Sequence, residues 1–307
     1  MTWWTGGALG FDLETDGKEP LDARIITAAH VSLAPGVEPQ AMELMLKPER
    51  NIPDEATGVH GITTERAREE GTDRAPGVAL IAATIADLAG PERPITGHNL
   101  SYDLTILDRE MRRTEVGFLI CDPVTFGDSM VGVVIGGQEV SRFPVIDTYV
   151  LDKAVDRYRR GSRKLEAVAA HYGVPMAEGS AHGATADVFA ALRIAFRISR
   201  RSAAAADYIE QFGGPPMSFQ MHPFMQHYAG RKDPLDLVRS FAAVSAMSLP
   251  ELHAAQVRWA REQADGLRDY FLSQGKKGDA ATVDGSWPVR TLTDGAGPVE
   301  DISTELV

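Results

Sequence analysis

The chain has 307 residues, of which 44% are hydrophobic and 24% charged, and its formal charge of −12 excludes a protein that coats nucleic acid by bulk attraction. An enzyme that meets a phosphate chain at one metal-loaded cleft stays compatible with that charge, because the carboxylates of such a cleft contribute to the total. The single cysteine, Cys121, excludes an internal disulfide framework and a cysteine-rich zinc site; no apolar run approaches the roughly 20 residues of a membrane span and no secretory leader is visible, so a cytoplasmic protein of one large or two modest domains is expected.

In chain order, the stretch 8–15 (ALGFDLET) reads as a short buried strand. Side chains alternate faces along a strand, so Asp12 and Glu14 point the same way, about 6–7 Å apart. Two carboxylates so placed repel unless a cation lies between them. Taken alone, Asp-x-Glu also fits an exposed edge strand. Asp16-Gly17 reads as a turn, 24–33 is β-rich, Pro35-Gly36 turns the chain, and 41–47 alternates at Met42, Leu44 and Leu46. Three strands with short connections predict an antiparallel meander.

Gly58 and Gly61 bracket Val59-His60, and Thr63 or Thr64 is placed to cap a short helix. Val78, Ile81, Ile85 and Leu88 are spaced as one helix face within 76–89. An interior strand is expected at 95–98, followed by a helix carrying Leu104, Leu107 and Met111, with Ser101 as its cap and Asp103 in its first turn. Residues 131–143 read as a β-hairpin turning at Gly136-Gly137. Val145 to Thr148 leads into a helix, 157–164 (RYRRGSRK) is a basic loop, and 165–172 is a short helix. The stretch 181–187 opens a longer helix, expected to run to about Arg200 with Phe189, Leu192 and Phe196 inward; 203–206 and 213–216 read as linker. Beyond it, 250–272 predicts a helix capped by Ser248, with Leu252, Val257, Leu267 and Phe271 buried; from 275 the chain is Gly- and Asp-rich, though Trp287-Pro288-Val289 is apolar enough to dock.

Five chemistry-bearing residues stand apart: Asp12, Glu14, Asp103, His182 and Asp187. The motifs FDLET (11–15), VHGIT (59–63), GHNLSYD (97–103), DT (147–148) and HGATAD (182–187) occur in an order that resembles the DEDDh branch of the DnaQ-like 3′→5′ exonucleases, over roughly the first 200 residues. The resemblance implies an α/β fold: a ribonuclease H-like mixed sheet, an antiparallel meander then parallel strands, flanked by helices, with a mainly helical C-terminal extension. The expected division is an exonuclease domain at 1–202 and a helical region at 203–307. The implied activity releases nucleoside 5′-monophosphates from a nucleic-acid 3′ end, DNA in preference to RNA. An exoribonuclease uses the same five residues, and a binding module that lost catalysis is the alternative of another class.

Phosphodiester hydrolysis needs an activated water, a stabilised phosphorus and a stabilised leaving oxygen, and two divalent cations can supply all three. Oxygen ligands favour Mg2+ or Mn2+. Within the resemblance, Asp12 bridges the two ions, Glu14 and Asp187 complete one shell, Asp103 holds the second, and His182 accepts the proton of the attacking water. It also implies that Leu13 and Thr15 contact the terminal nucleotide, that His60 and Gly61 line the base side, that His98 and Asn99 support the cleft, and that Tyr102 forms an aromatic wall. Asp147 and Thr148 are expected to cap. Arg157, Arg159, Arg160, Arg163 and Lys164 are placed to guide a phosphate backbone. For the C-terminal region, a helical extension packed on the catalytic domain is expected; a polymerase or sliding clamp is the partner considered, with 216–219 (PMSF) as a docking peptide.

Overall fold

The computed structural model describes residues 3–121, 130–176, 183–212 and 234–290. The predicted meander is present: β1 (Ala8–Thr15) pairs antiparallel with β2 (Ile25–Ala34), and β2 with β3 (Val37–Met45). β1 is central because both its faces are apolar at their base. Leu9, Phe11 and Leu13 are buried on one face and Ala8 on the other. Burying a side chain such as Phe11 contributes about 2–3 kcal/mol.

Helices α1 (Asp54–His60), α2 (Thr64–Glu70) and α3 (Arg74–Leu88) follow. Thr63 caps α2, its hydroxyl accepting the Arg66 N–H. β4 (Ile95–Gly97) then enters beside β1 in parallel and gives way to α4 (Leu100–Arg113). Asn99, rather than Ser101, occupies the N-cap of α4, in left-handed backbone at φ 64°. Asparagine tolerates that conformation, which turns the chain from strand to helix in a single residue. α3 and α4 cover the Leu9–Phe11–Leu13 face, with Ile81, Ile85, Leu104, Leu107 and Met111 in one core.

β6 (Val131–Ile135) and β7 (Gln138–Phe143) form the expected hairpin, and β5 (Gly117–Ile120) adds a third strand to it that the sequence did not signal. β8 (Val145–Asp147) returns the chain to the main sheet, parallel to β4, so the order is β3-β2-β1-β4-β8. This is the mixed sheet expected, antiparallel on one side of β1 and parallel on the other. Among the described residues no helix is long and apolar enough to cross a membrane.

Helices α5 (Thr148–Val155), α6 (Leu165–Tyr172) and α7 (Ala184–Phe212) complete the second layer. α7 crosses residues 203–206 without a break, contrary to the linker reading. Alanine is the strongest helix former, and the Ala-rich run extends the helix, with Ala205 fully buried. Its inner face also differs from expectation. Val188, Leu192, Ile194 and Ile198 are buried, while Phe196 is exposed and meets Trp4 edge to face.

Beyond α8 (Pro234–Ser245) comes α9 (Leu249–Ser273), then the short α10 (Lys277–Ala281). Ser248 and Glu251 form a reciprocal capping box at the start of α9. The buried stripe of α9 lies mostly in its first half and includes two polar residues, His253 and Gln256; of the residues expected inside, Leu252 is buried, Val257 and Phe271 are half-buried and Leu267 is exposed. The polar pair has a defined task. Edge strand β8 turns the N–H of Val145, the C=O of Val145 and the N–H of Asp147 outward. His253 Nδ1 accepts from Val145 N at 2.9 Å, Gln256 Oε1 accepts from Asp147 N at 2.8 Å, and Gln256 Nε2 donates to Val145 O at 2.7 Å. A buried group left unpaired there would cost about 1–3 kcal/mol. Trp287 docks as its composition suggested, donating Nε1 to Asp147 Oδ2 at 3.1 Å. The expected C-terminal extension packed on the catalytic sheet is therefore present over the described residues, whereas 216–219 lies outside them.

Candidate active site

Alternation in β1 puts Ala8, Gly10, Asp12 and Glu14 on one face. α7 packs against the Ala8–Gly10 end of that face, and Ala184, Val188 and Leu192 join Ala8 in a small core. A β-carbon on Gly10 would overlap the Val188 and Leu192 side chains, so glycine sets how closely α7 can approach. That approach carries Asp187, in the first turn of α7, up to the strand. Carboxylate oxygens of Asp12, Glu14 and Asp187 all lie within 4.8 Å of one another.

Asp103 arrives from the first turn of α4 and is buried. Its Oδ1 accepts the Leu13 N–H at 3.2 Å, which fixes the carboxylate against β1. Glu43, on β3, completes a negative patch. It lies two strands from Asp12 through Ala29, and its Oε2 accepts a hydrogen bond from Thr185 at 2.7 Å, tying the start of α7 to the sheet.

Three of the acids, Asp12, Glu14 and Asp103, hold their protons far more tightly than usual. Burial pushes Asp12 well above the ordinary carboxylate range, and Asp103, Glu14, Asp187 and Glu43 push it the same way. Burial raises Glu14 to about 8, reinforced by Asp187 and Glu43. Asp103 is likewise well above its ordinary value, chiefly through burial, although hydrogen bonds from its own backbone and Leu13 oppose the rise. A cluster of this kind favours whatever positive charge it can enclose. Its donors are hard oxygens with no sulfur or imidazole among the three that converge, which suits Mg2+ or Mn2+. The carboxylate cluster therefore fits a divalent cation, with Asp12, Glu14 and Asp187 as the group that could hold one.

The remaining expected residues surround this cluster on several sides. Thr15 Oγ1 and Tyr102 Oη are 2.6 Å apart, and Tyr102 also donates to the Gly17 carbonyl. Burial raises the Tyr102 phenol to about 12, so it remains a hydrogen-bond donor. His60 and Gly61 end α1, with Gly61 in left-handed backbone at φ 74°. His60 Nδ1 accepts the Ile62 N–H at 3.1 Å, so Nε2 carries the proton. Burial holds the His60 imidazole below its ordinary value, against a hydrogen bond to the Thr15 backbone. His98 lies between Thr148 Oγ1, at 2.8 Å, and the Arg163 carbonyl, at 2.9 Å, and so anchors the basic loop to the end of β4. Asn99 N donates to Asp147 Oδ1 at 2.8 Å, which makes Asp147 both the cap of α5 and a brace for the turn into α4. Thr148 donates to the Gly97 carbonyl at 3.0 Å.

A cavity of about 650 Å3 opens beside the acids, with Asp12, Asp187, His98, Asn99, Tyr149 and Lys164 among its walls. The basic loop differs from the expectation of five free cations. Arg159 Nη2 is 2.9 Å from Asp152 Oδ2, and Arg163 Nη1 bonds the same oxygen. Burial alone would raise Asp152; the two guanidiniums hold it below its ordinary value instead. A fully buried carboxylate needs such partners, so Arg159 and Arg163 fasten the loop while Arg157, Arg160 and Lys164 face solvent. His182 lies outside the described residues. Gly10, Glu43 and Tyr149 are the participants that motif reading missed; a glycine inside an apolar strand was the one available signal.

Comparison with known proteins came to the same family. Residues 9–195 match a family model described as Exonuclease, of RNase T type. Among solved structures, E. coli Exonuclease I in complex with a dT13 oligonucleotide is 21% identical, with a TM-score of 0.49, 67% of this chain and 44% of that one covered. Exonuclease I from Methylocaldum szegediense is 20% identical, with a TM-score of 0.49, covering 68% and 44%. An ExoI/SSB-Ct complex is 19% identical, with a TM-score of 0.46, covering 68% and 44%. The chain thus spans less than half the length of the solved structures it resembles. No curated protein sequence matches it.

Proposed function

Because this chain belongs to the exonuclease family matched over residues 9–195, we propose that it is a metal-dependent 3′→5′ exonuclease that removes nucleoside 5′-monophosphates from the end of a DNA strand. The observation that carries the proposal is the convergence of Asp12, Glu14 and Asp187 within 4.8 Å, with buried Asp103 beside them. Asp12 would be shared between two Mg2+ or Mn2+ ions, Glu14 and Asp187 holding one and Asp103 the other. When bound, such ions lower the pKa of water and offset charge on the phosphate and the leaving oxygen.

His182 serves as the general base. An ordinary histidine is largely neutral at pH 7–8 and can take the proton of the attacking water. The new P–O bond forms as the bond between phosphorus and the 3′ oxygen of the penultimate nucleotide breaks. That oxygen leaves as the new 3′-OH once protonated, and the terminal residue departs as a 5′-monophosphate. Leu13 and Thr15 contact the terminal nucleotide, with the Thr15–Tyr102 hydrogen bond holding the wall beside it. His60 and Gly61 line the base side, and His98 and Asn99 support the cleft at the end of β4.

The test uses 5′-labelled single-stranded DNA, duplex DNA with a frayed end, and RNA, each with Mg2+ or Mn2+. The expected result is a ladder shortening from the 3′ end of single-stranded DNA, absent in Asp12→Ala. A ladder confined to RNA would make the enzyme an exoribonuclease. Shortening from the 5′ end, or full activity in Asp12→Ala, would overturn the mechanism.

A further inference from the structure

The cavity beside the acids does not stand alone. Asn99 and Tyr149 line both it and a second cavity of about 310 Å3, which lies between α5, α9 and residues 282–290. Lys153 and Gln263 in turn line both the second cavity and a third of about 360 Å3, whose walls include Arg157 and Trp259. Shared walls join the three into one path. It starts between Asp12 and residues 162–164 of the basic loop, crosses the seam between the sheet domain and the C-terminal helices, and ends at Arg157, where that loop begins. The outer two-thirds lie partly on residues beyond 195, where the family match stops.

The chemistry along this path suits a single nucleic-acid strand. Lys153 Nζ sits 4.8 Å from the centre of the Tyr149 ring and 3.4 Å from its hydroxyl. Arg157 is exposed, and its guanidinium lies 5.8 Å from the ring centre of Tyr158. Tyr158 is 84% exposed, an unusual position for a large aromatic side chain in a loop with no apolar core to fill. Alternating cations and aromatic faces are the elements that hold single strands: phosphates meet the cations and bases stack on the rings. Besides Asp12 and Asp187, four acids, Asp147, Glu166, Glu262 and Asp284, border the path and moderate its charge.

Resting on the exonuclease reading, we propose that this path is a track for the nucleotides upstream of the scissile one. The strand leaves the acid cluster over Tyr149, passes Lys153 between α5 and α9, and exits along Arg157 and Tyr158. The occupant is single-stranded nucleic acid at least on the order of four nucleotides long. In a chain of net charge −12 these cations are a local guide, since the protein as a whole repels phosphate.

The experiment compares a trinucleotide with a 12-mer of dT, each carrying a 5′ fluorophore, on the full chain. Fluorescence anisotropy in EDTA reads binding without cleavage, and kcat/KM with Mg2+ reads turnover. Wild type should bind the 12-mer at least tenfold more tightly than the trinucleotide. K153E combined with R157E should reduce that ratio at least tenfold and lessen the salt slope of 12-mer binding by about 1.4, the loss of two single-strand phosphate contacts. Tyr158→Ala should reduce the ratio without changing the salt slope, and Glu262→Gln should raise it. Equal binding of the two lengths by wild type, or a K153E/R157E ratio equal to that of wild type, would overturn the track. If length-dependent binding is present and lost in the double variant while no 3′ shortening occurs, the track stands and the exonuclease reading falls.

Discussion

Replacing Glu14 by Gln should stabilise the metal-free protein in alkaline solution and leave it nearly unchanged in acid. Burial, with Asp187 and Glu43 nearby, raises the Glu14 carboxyl from an ordinary 4.5 to about 8. A group whose folded pKa is raised contributes its full stability below the unfolded pKa and loses it as pH rises through the folded value. The window is therefore about 4.5 to 8, with stability falling toward the alkaline side. At about 1.36 kcal/mol per pH unit the full effect is about 5 kcal/mol. Water at half-buried Glu14 and proton uptake by neighbouring acids reduce this, and about 2–3 kcal/mol is the expected measurement. Gln cannot ionise, so the variant lacks this loss. Urea unfolding in EDTA should give wild type and Glu14→Gln within about 1 kcal/mol at pH 5, with the variant ahead by about 2–3 kcal/mol at pH 9. With saturating Mg2+ the order should reverse, because the amide is the poorer ligand. Parallel stability profiles for the two proteins from pH 5 to 9 without metal would refute the reasoning.

Gly10→Val should overpack the contact of β1 with α7 and destabilise by about 1–3 kcal/mol. Calorimetry should show weaker Mn2+ binding in this variant, since Asp187 moves with the helix, while circular dichroism shows helix content retained. Replacing both Arg159 and Arg163 by Met strands the buried Asp152 and should cost about 3–5 kcal/mol in thermal unfolding. Adding Asp152→Asn to that double variant should recover a large part of it. Trp287→Phe removes the bond to Asp147 Oδ2 and trims the buried ring, with an expected loss of at least about 1–3 kcal/mol; an unchanged Tm would show that the bond contributes nothing.

The fold was legible wherever one residue type has one common use. Alternation in 8–15 placed Asp12 and Glu14 on one face, and the capping pattern at Ser248 located α9 to within one residue. The acids of the candidate site were legible because the motifs that carry them are local and occur together in one order, although Asp-x-Glu alone fits an exposed edge strand as well. Contacts between distant elements were not. Nothing local in RYRRGSRK tells that Arg159 and Arg163 turn back onto Asp152, because that pairing depends on α5 and the loop meeting in space. Glu43 was hidden because the alternation of Met42, Leu44 and Leu46 drew attention to the opposite face of β3, where Met42 is itself exposed. His253 and Gln256 read as polar residues on a helix surface, yet both are fully buried against a strand edge. The Ala-rich run after 202 was misread because low complexity suggests both a linker and a strong helix, and only packing separates them.

The way α9 closes the outer edge of β8 has a consequence for how the protein can be cut and for what it does in crowded solution. An uncovered strand edge is a template for pairing with another chain. The opposite edge, β3, is exposed but carries Pro39, which cannot donate to a ladder, and the charges of Glu38 and Glu43. β8 has no such device and relies on the amide of Gln256 and the imidazole of His253. A fragment trimmed to the family match at 9–195 would therefore keep every acid of the cluster and lose the cover on its sheet. It should self-associate through β8, and the C-terminal helices, besides bordering the path to the acids, act as the molecule's own guard against aggregation.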